Sequence, residues 1–247
     1  MAYEYLNQFY DSLMENVPYH KYLTIIEKYI DKKAHILDLA CGTGNMLLEL
    51  VKSGYTTHGL DISEEMLTIA KQKLMEINLH ANLFQDDMRN IQVENNYELI
   101  ICLLDSINYL TTTGDIKKTF SGVYQALKKG GYFIFDIFAF NRVEAIFANY
   151  SYNESDDDYT YIWNTFVEKK PRYFIVNHEL IFFIKSQNNY FHKYLEYHQQ
   201  VIFPLKVYLE LLSNIGFEIK DVYFDFEKKQ SENHSERIIL VAKKCCT

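Results

Sequence analysis

The stretch Ile36-Leu37-Asp38-Leu39-Ala40-Cys41-Gly42-Thr43-Gly44-Asn45 decides how the rest of the chain is read. An apolar run with strand character delivers the backbone to two glycines. Asn45–Lys52 then has helical spacing until Ser53-Gly54 stops it. Strand, glycine turn and helix in that order open a βαβ unit. In an open parallel sheet the turn lies at the carboxyl edge, where ligands bind near the topological switch point.

The same alternation continues outward. Residues 55–60 read as a strand and 63–76 as a helix with Ser63 at its N-cap. Residues 81–85 and 97–104 read as strands. Residues 115–128 read as a helix ended by Gly130-Gly131, and 132–138 as a fifth strand. Strands alternating with helices at this spacing predict a mostly parallel sheet with helices on both faces. Upstream, residues 3–31 carry helical periodicity in Tyr5, Phe9, Leu13 and again in Tyr22, Ile25, Ile26, Tyr29, in two pieces broken near Pro18. After Phe140 the pattern changes. Tyr159, Tyr161, Trp163, Thr165, Val167 and Phe174, Val176, His178, Leu180, Phe182 alternate with period two. Within residues 156–203 this predicts about three antiparallel strands, an insertion rather than a separate domain. Residues 205–214 return to helix, Gly216 stops it, and 217–226 with 237–243 form two final strands.

A chain of 247 residues with 48% hydrophobic and 23% charged residues has enough apolar mass for a full core. The longest apolar run, 99–104, is far too short for a bilayer span, and the first residues lack the pattern of a secretory signal. Net charge is −8 and arginine occurs only at 89, 142, 172 and 237, which argues against a protein built to grip phosphate backbones. The four cysteines form no disulfide or metal framework, so a cytoplasmic protein with reduced thiols is expected. The histidines show no metal-ligand spacing, and no metal is expected.

Gly59-Leu60-Asp61-Ile62-Ser63 sharpens the glycine turn, because Asp61 stands at the end of the second strand, 17 residues past Gly44. A carboxylate there can accept hydrogen bonds from both hydroxyls of a ribose. A dinucleotide would also need a small third residue in Gly-x-Gly-x-x-Gly/Ala, and that position is Leu47. The remaining candidate is an adenosyl ligand without phosphates, in keeping with the shortage of arginine.

On these residues the sequence resembles the class I S-adenosylmethionine-dependent methyltransferases. Their first motif is similar to Leu37-Asp38-Leu39-Ala40-Cys41-Gly42-Thr43-Gly44, and further motifs follow in order: Asp61, Asp86-Asp87-Met88-Arg89, Leu103-Leu104-Asp105-Ser106-Ile107-Asn108-Tyr109-Leu110 and Leu127-Lys128-Lys129-Gly130-Gly131. Departures are Lys129, where many members have proline, Glu98 for a common aspartate, and Asp86 for a common glycine. The resemblance covers residues 33–140 by motif and 205–243 by layout. It implies a Rossmann-like seven-stranded sheet of order 3-2-1-4-5-7-6 with the last strand antiparallel, carrying an inserted antiparallel β subdomain. Residues 1–31 would be a helical lid, 32–140 and 204–247 the S-adenosylmethionine-binding domain, and 141–203 the inserted sheet covering the substrate.

Carried over by motif, Gly42 and Gly44 line the methionine portion of the cofactor, with Ala40, Cys41 and Asn45 beside them. Asp61 binds the ribose, Ile62 and Met66 flank the adenine, Asp87 accepts from its amino group and Met88 stacks on the ring. Leu103, Asp105 and Ser106 lie near the sulfonium, and Tyr10 closes the site from the lid. Tyr109, Trp163, Asn164, Asn177 and His198 are the candidate acceptor-binding residues. Each has a plainer reading. Asp38 orders the glycine loop, Asp105 caps a helix, Tyr10 packs, and a strand histidine such as His198 is more often structural than a base. A carboxylate at Asp136, inside an apolar strand, must be paired if buried. Asp156-Asp157-Asp158 reads as a solvated loop, and the tail Cys245-Cys246-Thr247 suggests no role. The resemblance implies methyl transfer to a small-molecule nitrogen or oxygen, as in the enzymes acting on glycine or amino sugars, with S-adenosylhomocysteine as product and no residue singled out as catalytic. The alternatives are an RNA or protein methyltransferase, a non-catalytic adenosyl-ligand-binding protein and, third, a dinucleotide oxidoreductase. No nucleic-acid or membrane partner is expected, and the oligomeric state is not encoded in these motifs.

Overall fold

The computed structural model describes residues 10–186 and 190–245. Tyr5, Phe9, part of the 186–189 break and the Cys246-Thr247 end of the tail lie outside the described residues. Two short helices, α1 (Tyr10–Leu13) and α2 (Tyr19–Ile26), flank Pro18. Then come β1 (His35–Leu39), α3 (Asn45–Lys52), β2 (Thr56–Asp61), α4 (Glu64–Glu76), β3 (Asn82–Gln85), β4 (Tyr97–Cys102), α5 (Thr113–Ala126) and β5 (Leu127–Phe138). After α6 (Val143–Phe147) a second sheet is built from β6 (Ser151–Ser155), β7 (Tyr159–Lys169), β8 (Phe174–Lys185) and β9 (Phe191–Ile202). Helix α7 (Leu205–Ile215), β10 (Phe217–Phe224) and β11 (Arg237–Lys244) return the chain to the first sheet.

The first sheet has the order β10-β11-β5-β4-β1-β2-β3, with β11 antiparallel to both neighbours. Strand β4 is apolar along nearly its whole length because helices cover both faces. Alternate residues feed opposite cores. Leu37, Ile100, Phe133 and Phe135 pack with Phe120 of α5 and Leu212 of α7, whereas Ile36, Leu99, Ile101 and Ile134 pack with Tyr22 and Ile26 of α2 and Met46 of α3.

Two details differ from the sequence reading. Helix α5 ends at Ala126, and residues 127–131 already belong to β5. Leu127 is fully buried opposite Tyr97, and the two glycines form a bulge in the strand rather than a helix stop. The inserted sheet has four strands rather than three. Its extra member, β6, is a mostly exposed edge, Ser-Tyr-Asn-Glu-Ser, with no apolar alternation to reveal it. No helix among the described residues is long and apolar enough to cross a membrane.

In the inserted sheet Tyr161, Trp163, Thr165, His178, Leu180, His198 and Gln200 share one face, which packs toward the carboxyl edge of the first sheet. The intervening residues, among them Asn164, Phe166, Asn177 and Tyr197, share the opposite face.

Candidate active site

Gly44 opens α3 in the left-handed conformation (φ 78°), and a Cβ there would lie 2.9 Å from that of Ala70 on α4. Close helix–strand packing below the turn is solved differently. Leu47 reaches over β2, and a Cβ on Gly59 would stand 2.6 Å from its Cδ1. The small residue is on the strand and the large one on the helix, the reverse of the dinucleotide arrangement. Asp38 is buried under the loop and takes the backbone N–H of Leu47. Burial and the neighbouring Asp61 push its carboxyl up to about 8. Its Oδ2 meets no hydrogen-bond partner among the described residues.

Asp61 ends β2 and accepts from the backbone N–H of Gly42 (2.8 Å) and of Ser63 (2.9 Å), the second holding the start of α4. Burial raises its pKa, and these N–H groups oppose the rise. Asp61 lines a cavity of about 250 Å³ above the turn, together with Ala40, Gly42, Ile62, Met66, Met88 and Ser106. Ile62 is 59% exposed, an aliphatic side chain left uncovered at this mouth. Asp86 and Asp87 both reach the rim. Asp87 is gripped by Arg89 through Nε (2.9 Å) and Nη2 (2.5 Å), which holds its carboxyl below the usual range. Asp86 accepts from the backbone of Asp87 (2.7 Å) and from Asn90 (3.2 Å).

Helix α1 closes the cavity. Tyr10 lies over Gly42, its ring 3.8 Å from where a Cβ would be, and Asp11 binds Thr43 (2.7 Å), Asn45 (3.0 Å) and Lys73 (2.5 Å). Asn45 therefore faces this latch. Cys41 and Leu103 line a narrow side cleft that also exposes Asp38.

Tyr10, Ser106 and Tyr109 are shared with a second cavity of about 240 Å³ beneath the inserted sheet. Its walls include Leu104, Phe138, Phe147, Trp163 and Leu180, and its polar groups are Asp105, His178, His198, Gln200 and Arg237. Leu104 and Asp105 are consecutive left-handed residues (φ 57° and 54°), a costly turn for a leucine that the surroundings must hold. The hold is a buried ion cluster. Arg237 Nη2 donates to Asp105 (2.9 Å) and Nη1 to Asp136, while Asp136 also accepts from Tyr22 (2.9 Å) and from the backbone N–H of Asp105 (3.3 Å). Burial pushes the Asp105 carboxyl up and Arg237 pulls it back.

A hydrogen-bond chain of fixed direction joins this cluster to the inserted sheet. The Trp163 indole can only donate, so His178 Nδ1 accepts (3.1 Å) and its Nε2–H donates to the Gln200 carbonyl oxygen (3.2 Å). The Gln200 amide then donates to Asp105 (2.7 Å). Both ring nitrogens of His178 are engaged, and burial lowers its pKa to about 4, so it stays neutral. His198 lies beside it with Nε2 3.2 Å from Glu196.

A family model described as a methyltransferase domain matches residues 36–131. The putative methyltransferase YqeM of Bacillus subtilis is 34% identical over the whole of this chain and 99% of its own length. The solved structure of an S-adenosylmethionine-dependent methyltransferase from Clostridium acetobutylicum matches with a TM-score of 0.84 and 31% identity, over 98% of this chain and 99% of that one. A partial relative is the Streptomyces venezuelae dTDP-3-amino-3,4,6-trideoxy-alpha-D-glucopyranose N,N-dimethyltransferase, 31% identical over 43% of this chain and 44% of its own. The chain belongs to the class I S-adenosylmethionine-dependent methyltransferases. It is an enzyme of that family, and S-adenosylmethionine is its cofactor.

The site residues of this methyltransferase fit that cofactor on the donor set. The first cavity offers a buried ribose-type carboxylate, apolar residues at its mouth and, in the adjoining cleft, an unmatched Asp38 oxygen suited to an ammonium group. Of the residues expected at the cofactor, the structure gathers Tyr10, Ala40, Gly42, Asp61, Ile62, Met66, Asp87, Met88 and Ser106 around one cavity. Asn45 lines the adjoining cleft with Cys41 and Leu103 and also binds Asp11 of the latch. Two are placed differently: Gly44 is turned to Ala70 and Asp105 to the second cavity. Of the acceptor candidates, Tyr109, Trp163 and His198 line the second cavity. Asn164 and Asn177 do not. They lie on the far face of the inserted sheet, bonded to Glu179 and Glu168 respectively, because side chains alternate faces along a strand. Sequence reasoning missed Arg237 as a site residue. The buried Asp136 was the signal, since it demanded a partner and the chain has few arginines.

Proposed function

We propose that the enzyme transfers a methyl group to nitrogen or oxygen of a small-molecule acceptor seated in the second cavity. The observation that carries this reading is the pair of adjoining cavities that share Tyr10, Ser106 and Tyr109, one over the glycine turn and one under the inserted sheet. When bound, the cofactor supplies a methyl group on a sulfonium, whose sulfur keeps the bonding pair as the acceptor's lone pair takes the carbon.

The protein's task is orientation and exclusion of water. Asp61 would hold the ribose hydroxyls, and the Asp86–Asp87 turn would meet the purine amine, with Arg89 fixing Asp87. Ile62, Met66 and Met88 would flank the ring, and Asp38 would face the ammonium of the methionine portion. Tyr10 and the Asp11 latch would close over the bound molecule. The aromatic and aliphatic walls of the second cavity suit a step in which the sulfonium charge is dispersed. The amino-sugar relative and the enclosed size of that cavity support a small acceptor over a polymer.

The test is transfer of labelled methyl to a panel of small amines and alcohols, set beside total RNA and an unfolded protein. Label in a small molecule that disappears in Trp163→Ala is the expected result. Label confined to RNA or protein would overturn this reading.

A further inference from the structure

We propose that the second cavity selects acceptors that present a cationic amine and carry no carboxylate near it. This rests on the methyl-transfer reading above and adds the charge class of the acceptor.

The Arg237 guanidinium is the one Lys or Arg head group lining that cavity among the described residues. Residues 1–9, 187–189 and 246–247 contain neither lysine nor arginine. A substrate carboxylate entering the cavity would therefore look to Arg237, and Arg237 is already committed. One nitrogen is held by Asp105 and another by Asp136, and its plane lies over the Phe138 ring at 5.0 Å. Two carboxylates around one guanidinium leave an excess negative charge. Asp136 is fully buried, whereas Asp105 (17% exposed) and Arg237 (21% exposed) both line the cavity, so Asp105 is the carboxylate of the cluster that an entering molecule meets. The excess is thus presented at Asp105.

The other polar groups do not cancel it. His178 is held neutral by Trp163 and Gln200, and the Gln200 amide is spent on Asp105. His198 is accompanied by the buried carboxylate of Glu196. The side-chain partners of Asp105, Arg237 Nη2 and Gln200 Nε2, are both N–H donors, as an ionised carboxylate requires. A carboxylate brought into this enclosure would be desolvated beside a like charge, whereas an ammonium group would find the counter-charge it needs.

The test uses two probes of similar body and opposite charge, benzylamine and phenylacetate, titrated into the full chain saturated with S-adenosylhomocysteine and followed by ligand-observed NMR. Benzylamine should bind, with phenylacetate at least about tenfold weaker, the scale expected of a charged hydrogen-bonded contact. Asp105→Asn should abolish that preference, since asparagine tolerates the left-handed backbone while removing the charge and leaves a neutral Arg237–Asp136 pair. Equal or tighter binding of phenylacetate to the unaltered protein would overturn the proposal, as would failure of both probes to bind, or an Asp105→Asn variant with an unchanged preference. If that variant does not load with S-adenosylhomocysteine, the unaltered protein decides alone. Failure of S-adenosylhomocysteine itself to bind would instead strike the methyl-transfer reading.

Discussion

The two cavities are assembled in different ways, and each contains an arginine–aspartate contact that shows it. Around the first, most groups come from short contiguous segments at successive strand ends, 38–46, 60–66 and 86–89, joined by Tyr10 and by residues 106–110 after β4. Its ion pair, Arg89–Asp87, spans two residues with side chains 43% and 27% exposed. The second cavity draws on Asp105, Trp163, His178, Gln200 and Arg237, with Asp136 and Tyr22 behind them, residues far apart in sequence that come from α2 and from both sheets. Water screens the first pair, so it positions a loop and adds little stability. The second cluster sits where removing one partner strands buried charge. The same two residue types thus serve as local tuning in one place and, in the other, as a buried joint between β5, β11 and the turn after β4, to which the inserted sheet is tied by Gln200.

Arg237→Ala should therefore have the largest effect, destabilising the fold by about 3–5 kcal/mol as two carboxylates lose their shared cation. Chemical denaturation measures it, and a loss below about 1 kcal/mol would break the contrast. Gly59→Ala comes next. Its Cβ would stand within 2.9 Å of Leu47, Leu83 and Cys41, an overpacking cost of about 1–3 kcal/mol that Leu47→Ala should relieve in the double variant. Independent, additive losses would show that the helix–strand exchange of bulk is not what fits the glycine there.

A pH-dependent effect follows from Asp38, whose carboxyl is raised to about 8 in the folded protein. In the unfolded chain it ionises near its ordinary value of about 4. Between those two values the folded state holds the extra proton, so without cofactor stability should fall as pH rises from about 4 to about 8. Asp38→Asn should flatten that slope in denaturation curves taken across the range. The smallest effect belongs to Arg89→Ala, below about 1 kcal/mol by the same denaturation assay.

The difference in assembly also explains what could be read from the sequence. The glycine turn, Asp61 and the Asp87-Met88 turn are each local in sequence and sit at strand ends that periodicity locates, so the first cavity was legible. The joint at Arg237 was not, because it depends on the register that sets β11 against β5 and on where the turn after β4 carries Asp105. Asn164 and Asn177 are a different case. The alternation that aligned Trp163 with Thr165, and Val176 with His178, already assigned both asparagines to the other face. Strand β6 escaped because an exposed polar edge leaves no period-two signal, and α5 was overextended because Gly130-Gly131 mimics a helix stop.

The most direct test is calorimetric titration of S-adenosylmethionine into the purified protein and its Asp61→Ala variant, with NADH as control. Micromolar binding of S-adenosylmethionine alone is the expected result, weakened at least about tenfold in an Asp61→Ala variant that remains folded. A folded protein that ignores S-adenosylmethionine, or binds it equally well without the Asp61 carboxylate, would contradict the account.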